Sequence, residues 1–240
     1  MDKLNSLMHI PFLQIQVPDD TATTGDQPVE KTLSIMELIT NGGTGGIIIM
    51  SILFLLSVIA VYIFVERYMA IKRASKIDAN FINHIKDHVS NGKIESAQAL
   101  CQSHNTPVAR MIEKGISRIG KPLKDISSAI ENTGRLEVTL LEKNLAALAT
   151  IAGAAPMIGF LGTVIGMILA FHEMAAAGGQ INIEMLAEGI YVAMTTTVAG
   201  LAVGIIAYIG YNILVARVDK VVYKMEANSV EFLDLLNEPL

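Results

Sequence analysis

The sequence predicts an all-α membrane protein with three transmembrane helices, a helical cytoplasmic domain, and second and third spans extended beyond the bilayer. Three observations point there. Hydrophobic residues make up 52% of the 240 and charged residues 17%, with a mean hydropathy of +0.48. Long uncharged runs occupy 45–65, 145–171 and 189–216, and charged stretches separate them. Basic residues are distributed very unevenly about those runs.

Each run is long enough to cross a hydrocarbon core of about 30 Å, and the two longer ones reach roughly 40 Å as helices, so they tilt or project past the headgroups. Thirteen of the 18 Lys and Arg lie between Arg67 and Lys143, three follow Ala216, two precede Gly45, and none falls between His172 and Glu188. The excess of basic residues marks the cytoplasmic side, which puts the N-terminus and the short loop outside and the large loop and C-terminus inside. The expected organisation is an outside tail over 1–31, an amphipathic interfacial helix over 32–44, spans over 45–66, 145–171 and 189–216, the cytoplasmic domain over 67–144, an outside loop over 172–188 and a cytoplasmic tail over 217–240. Asp2, Pro11, Asp19 and Asp20 speak against a cleaved leader. Leu33, Met36, Leu38 and Ile39 give the interfacial helix its apolar side. Arg67, Lys72, Arg73 and Lys76, just inside the first span, are placed to reach lipid phosphates.

The large loop divides at Ser90 to Lys93, at Ser103 to Pro107 and at Gly120 to Pro122, which predicts helices around Ser75 to Val89, Ile94 to Cys101 and Val108 to Ile119. No breaker follows between Pro122 and Pro156. Gly134, Val138, Leu141, Leu145, Leu148 and Ala152 recur at spacings of 3 and 4, so one continuous helix is expected to carry an apolar stripe from the cytoplasm into the second span. That stripe suits packing within one subunit as well as a seam between subunits.

Composition and pattern also exclude function classes. A net charge of −5 and a pI near 5.5 leave no basic field for nucleic acid. Cys101 stands alone, so an internal disulfide and a Cys-based metal cluster are ruled out. His84 and His88 have i,i+4 metal spacing but no third ligand in register. No glycine loop with its Lys offers a phosphate site, and Ser51 and Ser57 have no base within their span, so no catalytic residue, metal or cofactor is assigned.

The membrane runs hold no Asp, Glu, Lys, Arg or His, the groups on which intramembrane proton relays depend. If the protein conducts ions, a second polypeptide must supply the titrating group. Gly159, Gly162 and Gly166 in the second span, and Gly200 and Gly204 in the third, lie on small-residue rows that let helices pack closely. Thr163, Thr195, Thr196 and Thr197 are the polar candidates. Three consecutive Thr point about 100° apart, so at least one is expected to face a polar lumen or a partner. A hydroxyl passes on a hydrogen bond but stores no proton near neutral pH.

The stretch from Ala154 to Met167, AAPMIGFLGTVIGM, resembles the second-span signature of the MotA/TolQ/ExbB proton-channel family, and that from Gly189 to Leu201, GIYVAMTTTVAGL, its third-span signature. Three spans resemble the ExbB and TolQ branch more than the four-span flagellar stators. The resemblance implies a bacterial inner-membrane homopentamer, N-terminus periplasmic and C-terminus cytoplasmic, whose second and third helices line a lumen. Single-span partners of the ExbD or TolR type sit there and bring the carboxylate that takes the proton. It further implies that Thr163 and Thr197 are lumen-facing hydroxyls, that Pro156 bends its helix, and that proton flow energises a TonB-like protein for outer-membrane transport. A TolQ-like envelope-integrity subunit, a gliding or secretion motor subunit and a non-conducting membrane scaffold are the alternatives. Glu188 is expected at the pore mouth. Where many ExbB-like chains carry Glu, this chain has Val192.

Overall fold

The computed structural model describes residues 43–76, 80–176 and 183–237. The expected interfacial helix over 32–44, apart from its last two residues, and residues 177–182 of the expected 172–188 loop lie outside the described residues, while 172–176 and 183–188 are helical, continuing the second and third spans. Within them the order is α1 (Gly43–Ala74), α2 (Phe81–Ser90), α3 (Ile94–Ser103), α4 (Pro107–Ile116), α5 (Leu123–Leu141), α6 (Leu145–Ala176) and α7 (Ile183–Asn237), with no strand among the described residues.

Three helical stretches are long and apolar enough to cross a membrane, and they contain the three uncharged runs. α1 and α6, at 32 residues each, are about 48 Å long, and α7, at 55 residues, about 82 Å. All three outreach the hydrocarbon core, so each carries its membrane segment into a part beyond it.

The helices of the large loop are held by local chemistry. Thr106, extended at φ −120° and ψ 153°, caps α4 by accepting from Ala109 N at 3.3 Å, and Pro107 follows at a position where a missing N–H costs nothing. Gly92 and Gly120 turn the chain at φ +69° and +94°.

The helix expected to run unbroken from Pro122 into the membrane is interrupted. α5 ends at Leu141, and Asn144 adopts φ 64° before α6 begins at Leu145. Asn is among the few L-residues that take this left-handed conformation readily, so a charged tripeptide with Asn last breaks the helix without Gly or Pro. The apolar stripe survives the break on one side, where Leu141, Leu145 and Leu148 are buried in the chain's own main core.

Continuity between membrane and helical domain is supplied by α7 instead. The 217–240 segment, expected as a tail, is helical through Asn237. Its Leu214, Val218, Val221, Met225 and Phe232 recur at spacings of 4, 3, 4 and 7 and are buried against Phe81, Ile85, Val108, Ile112, Ile116 and Ile130. The fit is tight: a Cβ on Gly115 of α4 would lie 2.7 Å from Ile130 Cδ1 and 2.8 Å from Phe232 Cε1. Arg110 crosses from α4 to α5, donating from Nε and Nη2 to the two carboxylate oxygens of buried Glu137 at 2.6 and 2.5 Å and from Nη1 to Asn105 at 2.6 Å. That paired bonding raises the Arg110 pKa further.

Candidate functional site

α6 and α7 cross with their backbones in contact, because small residues meet small residues at the crossing. A Cβ on Gly159 would lie 2.8 Å from Thr196 O and 3.1 Å from Gly200 Cα, and one on Gly200 would lie 2.6 Å from Ala155 O. On one side of this point Gly162 abuts Thr196 and Gly166 faces Ala193; on the other Gly204 packs over the Pro156 ring, its Cβ position 2.6 Å from Cγ. Pro156 has no N–H for the Ala152 carbonyl, and Gly204 approaches that same oxygen, its Cβ position 3.1 Å away. The five glycines singled out from the sequence thus come together with Pro156 at one helix interface, inside a single chain.

α1 occupies one flank of the α6–α7 pair. The Cβ position of Gly45 is 3.6 Å from Ile165 and Leu169 side chains, that of Gly46 is 3.2 Å from Val192 Cγ1, and Ile49 and Leu53 pack with Ile158, Ile165, Ala199 and Val203. At about 100° per residue, Thr163 of α6 and Thr197 of α7 fall on the opposite flank, beside exposed Phe160 and Leu201. The pair therefore has an α1 side, packed through apolar residues around Ile49 and Leu53, and a second side that carries the hydroxyls of Thr163 and Thr197.

The four threonines do not act together. Thr196 is buried between the helices, donating to Ala193 O at 2.7 Å and reaching Gly159 O at 3.3 Å. Thr195 donates to Tyr191 O at 2.9 Å, along the row of Ala199 and Ala202 that faces α1. Thr163 donates to Phe160 O at 2.7 Å within its own helix, while Thr197 donates across to Gly159 O at 3.1 Å. Both are only partly buried. The side chain of Glu188 lies outside the described residues.

One expectation about charge changes. Arg67 does not extend to lipid: it is buried, pairs with Glu66 and donates from Nη1 to Leu140 O at 3.3 Å, tying α1 to the end of α5. Lys72, Arg73 and Lys76 remain exposed. Val192 packs against α1 of its own chain, where an acid would meet the Gly46 backbone and no water. On α2 His84 is exposed and His88 partly buried, and no group of three potential metal ligands occurs among the described residues.

The charged residues after Ala216 end the uncharged run, so composition does not reveal the long extension of α7 into the helical domain. Its signal was present in the spacing of Leu214, Val218, Val221, Met225 and Phe232.

The sequence profile of the MotA/TolQ/ExbB proton channel family matches residues 103–227, which takes in most of the helical domain, all of α6 and the α7 crossing. The chain is 28% identical over 197 residues to a putative biopolymer transport protein ExbB homolog of Methanothermobacter thermautotrophicus, covering 80% of this chain and 67% of that protein. It is 41% identical over 80 residues to biopolymer transport protein exbB1 of Vibrio cholerae, covering 33% of this chain and 35% of that one. It is 39% identical over 85 residues to the Tol-Pal system protein TolQ of Haemophilus influenzae, covering 35% and 37%. The chain thus spans about a third of the length of the latter two. With half of its length matched by the profile and three apolar helices meeting at a glycine-lined crossing, this multi-pass membrane protein belongs to the MotA/TolQ/ExbB proton channel family.

Proposed function

We propose that the chain is the pore-forming subunit of a proton-driven inner-membrane motor that energises a TonB-type periplasm-spanning protein for outer-membrane transport. One observation carries this reading. The α6–α7 pair turns Thr163 and Thr197 to the flank away from α1, while the membrane runs hold no Asp, Glu, Lys, Arg or His. A hydroxyl-bearing wall without a proton store requires a carboxylate from elsewhere. A homopentamer arranged with this flank inward makes a lumen for single-span partners of the ExbD or TolR type, each bringing that carboxylate. The N-terminus is then periplasmic and the α2–α5 domain with the end of α7 cytoplasmic, in keeping with the basic residues it carries. The chain has no catalytic role in this reading.

Glu188 sits at the pore mouth and concentrates cations there. Replacing it by Gln lowers function in part, and the loss shrinks as external salt screens the field.

The test is reconstitution with and without a single-span partner bearing an intramembrane Asp. This chain alone leaves a pH gradient across liposomes intact, and the two together dissipate it. Rapid collapse by the chain alone would overturn the two-component mechanism. The TolQ-like reading, supported by the Haemophilus match, is separated by complementation: rescue of TonB-dependent uptake in cells lacking ExbB favours the first reading, and rescue of envelope integrity in cells lacking TolQ the second.

A further inference from the structure

α1 and α7 lie alongside each other with residues paired at a constant offset. Arg217 Nη2 donates to the Tyr68 hydroxyl at 3.3 Å, with Cζ 4.3 Å from the ring centroid, and two turns further on Lys224 Nζ donates to Ser75 O at 3.4 Å. Toward the membrane the two helices leave an apolar cleft of about 260 Å³ lined by Ala60, Val61, Phe64, Ile206, Gly210 and Ile213. A second cleft of about 540 Å³, between Met50, Phe54, Ser57, Ala202 and Ile206, continues it. The two share Ile206 and form one groove along the α1–α7 seam.

The groove has a polar end of one sign. Ile206, Gly210, Ile213 and Arg217 recur at spacings of 4, 3 and 4, so the guanidinium stands on the groove's own side of α7, one turn beyond its last apolar residue. Eleven residues from Arg217 to Ile206 cover about 16 Å, the depth of one leaflet of a hydrocarbon core of about 30 Å. Arg217 is exposed, and its bond to Tyr68 uses one of five donors. Lys72 and Lys220 are exposed nearby in sequence. Two acids of these helices near this level are turned away: Asp219 lies about 200° round α7 from Arg217, and Glu66 about 200° round α1 from Tyr68, where it pairs with Arg67.

We propose that this seam is a binding site for one anionic phospholipid of the leaflet adjoining the helical domain, its phosphate held by Arg217 on its Tyr68 seat and one acyl chain laid along the groove to Ile206. Ordinary annular lipid would share the apolar surface without preference for headgroup. The guanidinium at the end of a leaflet-deep groove makes the site selective, since a planar donor fork matches a phosphate in a way that bare hydrocarbon contact does not.

The chain has no Trp, so one introduced Trp reports on a single place. Ile209, on the rim of the groove, is 54% exposed, and Tyr62, at similar depth on the other side of α1, is 67% exposed. Full-length Ile209→Trp protein is placed in phosphatidylcholine vesicles in which about one-tenth of the lipid is acyl-brominated phosphatidylglycerol or acyl-brominated phosphatidylcholine. Brominated phosphatidylglycerol quenches Ile209→Trp as if enriched about fivefold over bulk, the preference one basic group near an anionic lipid supports, while Tyr62→Trp is quenched equally by both. Adding Arg217→Gln abolishes the preference, and Arg217→Lys keeps part of it. Equal quenching of Ile209→Trp by the two lipids in the otherwise native chain overturns the proposal without recourse to any Arg217 variant. A preference unchanged in folded Arg217→Gln protein overturns it as well. None of these readouts depends on proton flow or on a partner.

Discussion

The hydroxyl of Thr197 donates across the α6–α7 interface to the carbonyl of Gly159 at 3.1 Å, and Thr196 reaches the same oxygen at 3.3 Å. Two adjacent threonines about 100° apart share one acceptor only because Gly159 brings its backbone onto α7. The Gly159 carbonyl thus joins a buried packing threonine to one on the open flank, so the geometry of that flank depends on the closeness of the crossing.

Thr163→Val removes a hydroxyl bonded within its own helix, whereas Thr197→Val also removes a bond between helices, of the order of 0.6–2 kcal/mol in a membrane. Both variants are expected to assemble by size-exclusion chromatography, both to lose proton-coupled output, and Thr197→Val alone to melt earlier. Unchanged output in both would reduce these residues to packing.

Gly200→Ala places a Cβ 2.6 Å from Ala155 O and 2.9 Å from Gly159 Cα, both backbone atoms, so the helices must move apart. A loss of about 1–3 kcal/mol is expected. Gly153→Ala, with nothing within 4 Å, is neutral or gains up to about 1 kcal/mol from helix propensity. Thermal melting of the two variants in the same detergent checks the contrast, and equal behaviour would deny the close crossing.

Val192→Glu puts a longer, acidic side chain at a buried site against Gly46 of α1, where Val192 Cγ1 already lies 3.2 Å from the position a Cβ on Gly46 would take. Val192 is the fourth residue of its span, so the cost of an acid there stays below the about 2.5–3.5 kcal/mol of a span centre. The variant is expected to loosen α1, read as faster proteolysis at its ends, without creating proton flow. Partner-independent conduction by Val192→Glu would show that this position faces water.

Cys101 is buried, and burial with nearby Glu113 pushes its thiol up to about 12 from an ordinary 9.0. It therefore stays protonated and unreactive from both sides of the membrane at pH 8. Its silence says nothing about sidedness. Ser128, exposed on α5, is the proper site: Ser128→Cys is expected to react with an impermeant maleimide only after the cytoplasmic side is opened, and Ala177→Cys in intact cells. As pH rises from about 9 to 12 the unfolded thiol ionises and the buried one does not, so stability falls across that window, and less so in Cys101→Ala. Fast labelling of native Cys101 at pH 8 would contradict the burial.

The three spans were legible because a bilayer penalises each charged side chain separately, so 45–65, 145–171 and 189–216 announce themselves by composition alone. The small-residue rows were legible for a similar reason. The break at Asn144 was not, since Asn carries no breaker signal of the strength of Gly or Pro. Nor was the seat of Arg67, whose charge suggests lipid and whose partners, Glu66 and the Leu140 carbonyl, come from two different helices.

The sequence by itself determined the number and place of the membrane helices, the absence of a proton store within them, and the residues at which backbones can touch, because each follows from side-chain size or charge taken one position at a time. Only the tertiary structure decided that Gly159, Gly162 and Gly166 spend their smallness on α7 of the same chain, and that Thr163 and Thr197 share a flank while Thr195 and Thr196 do not. It also decided that α7, not the α5–α6 segment, is the unbroken rod joining membrane to helical domain. Those outcomes depend on the angular position of α1 around the α6–α7 pair and on which apolar stripe finds the larger surface to bury. A linear pattern states the period of such a stripe and leaves open what will cover it.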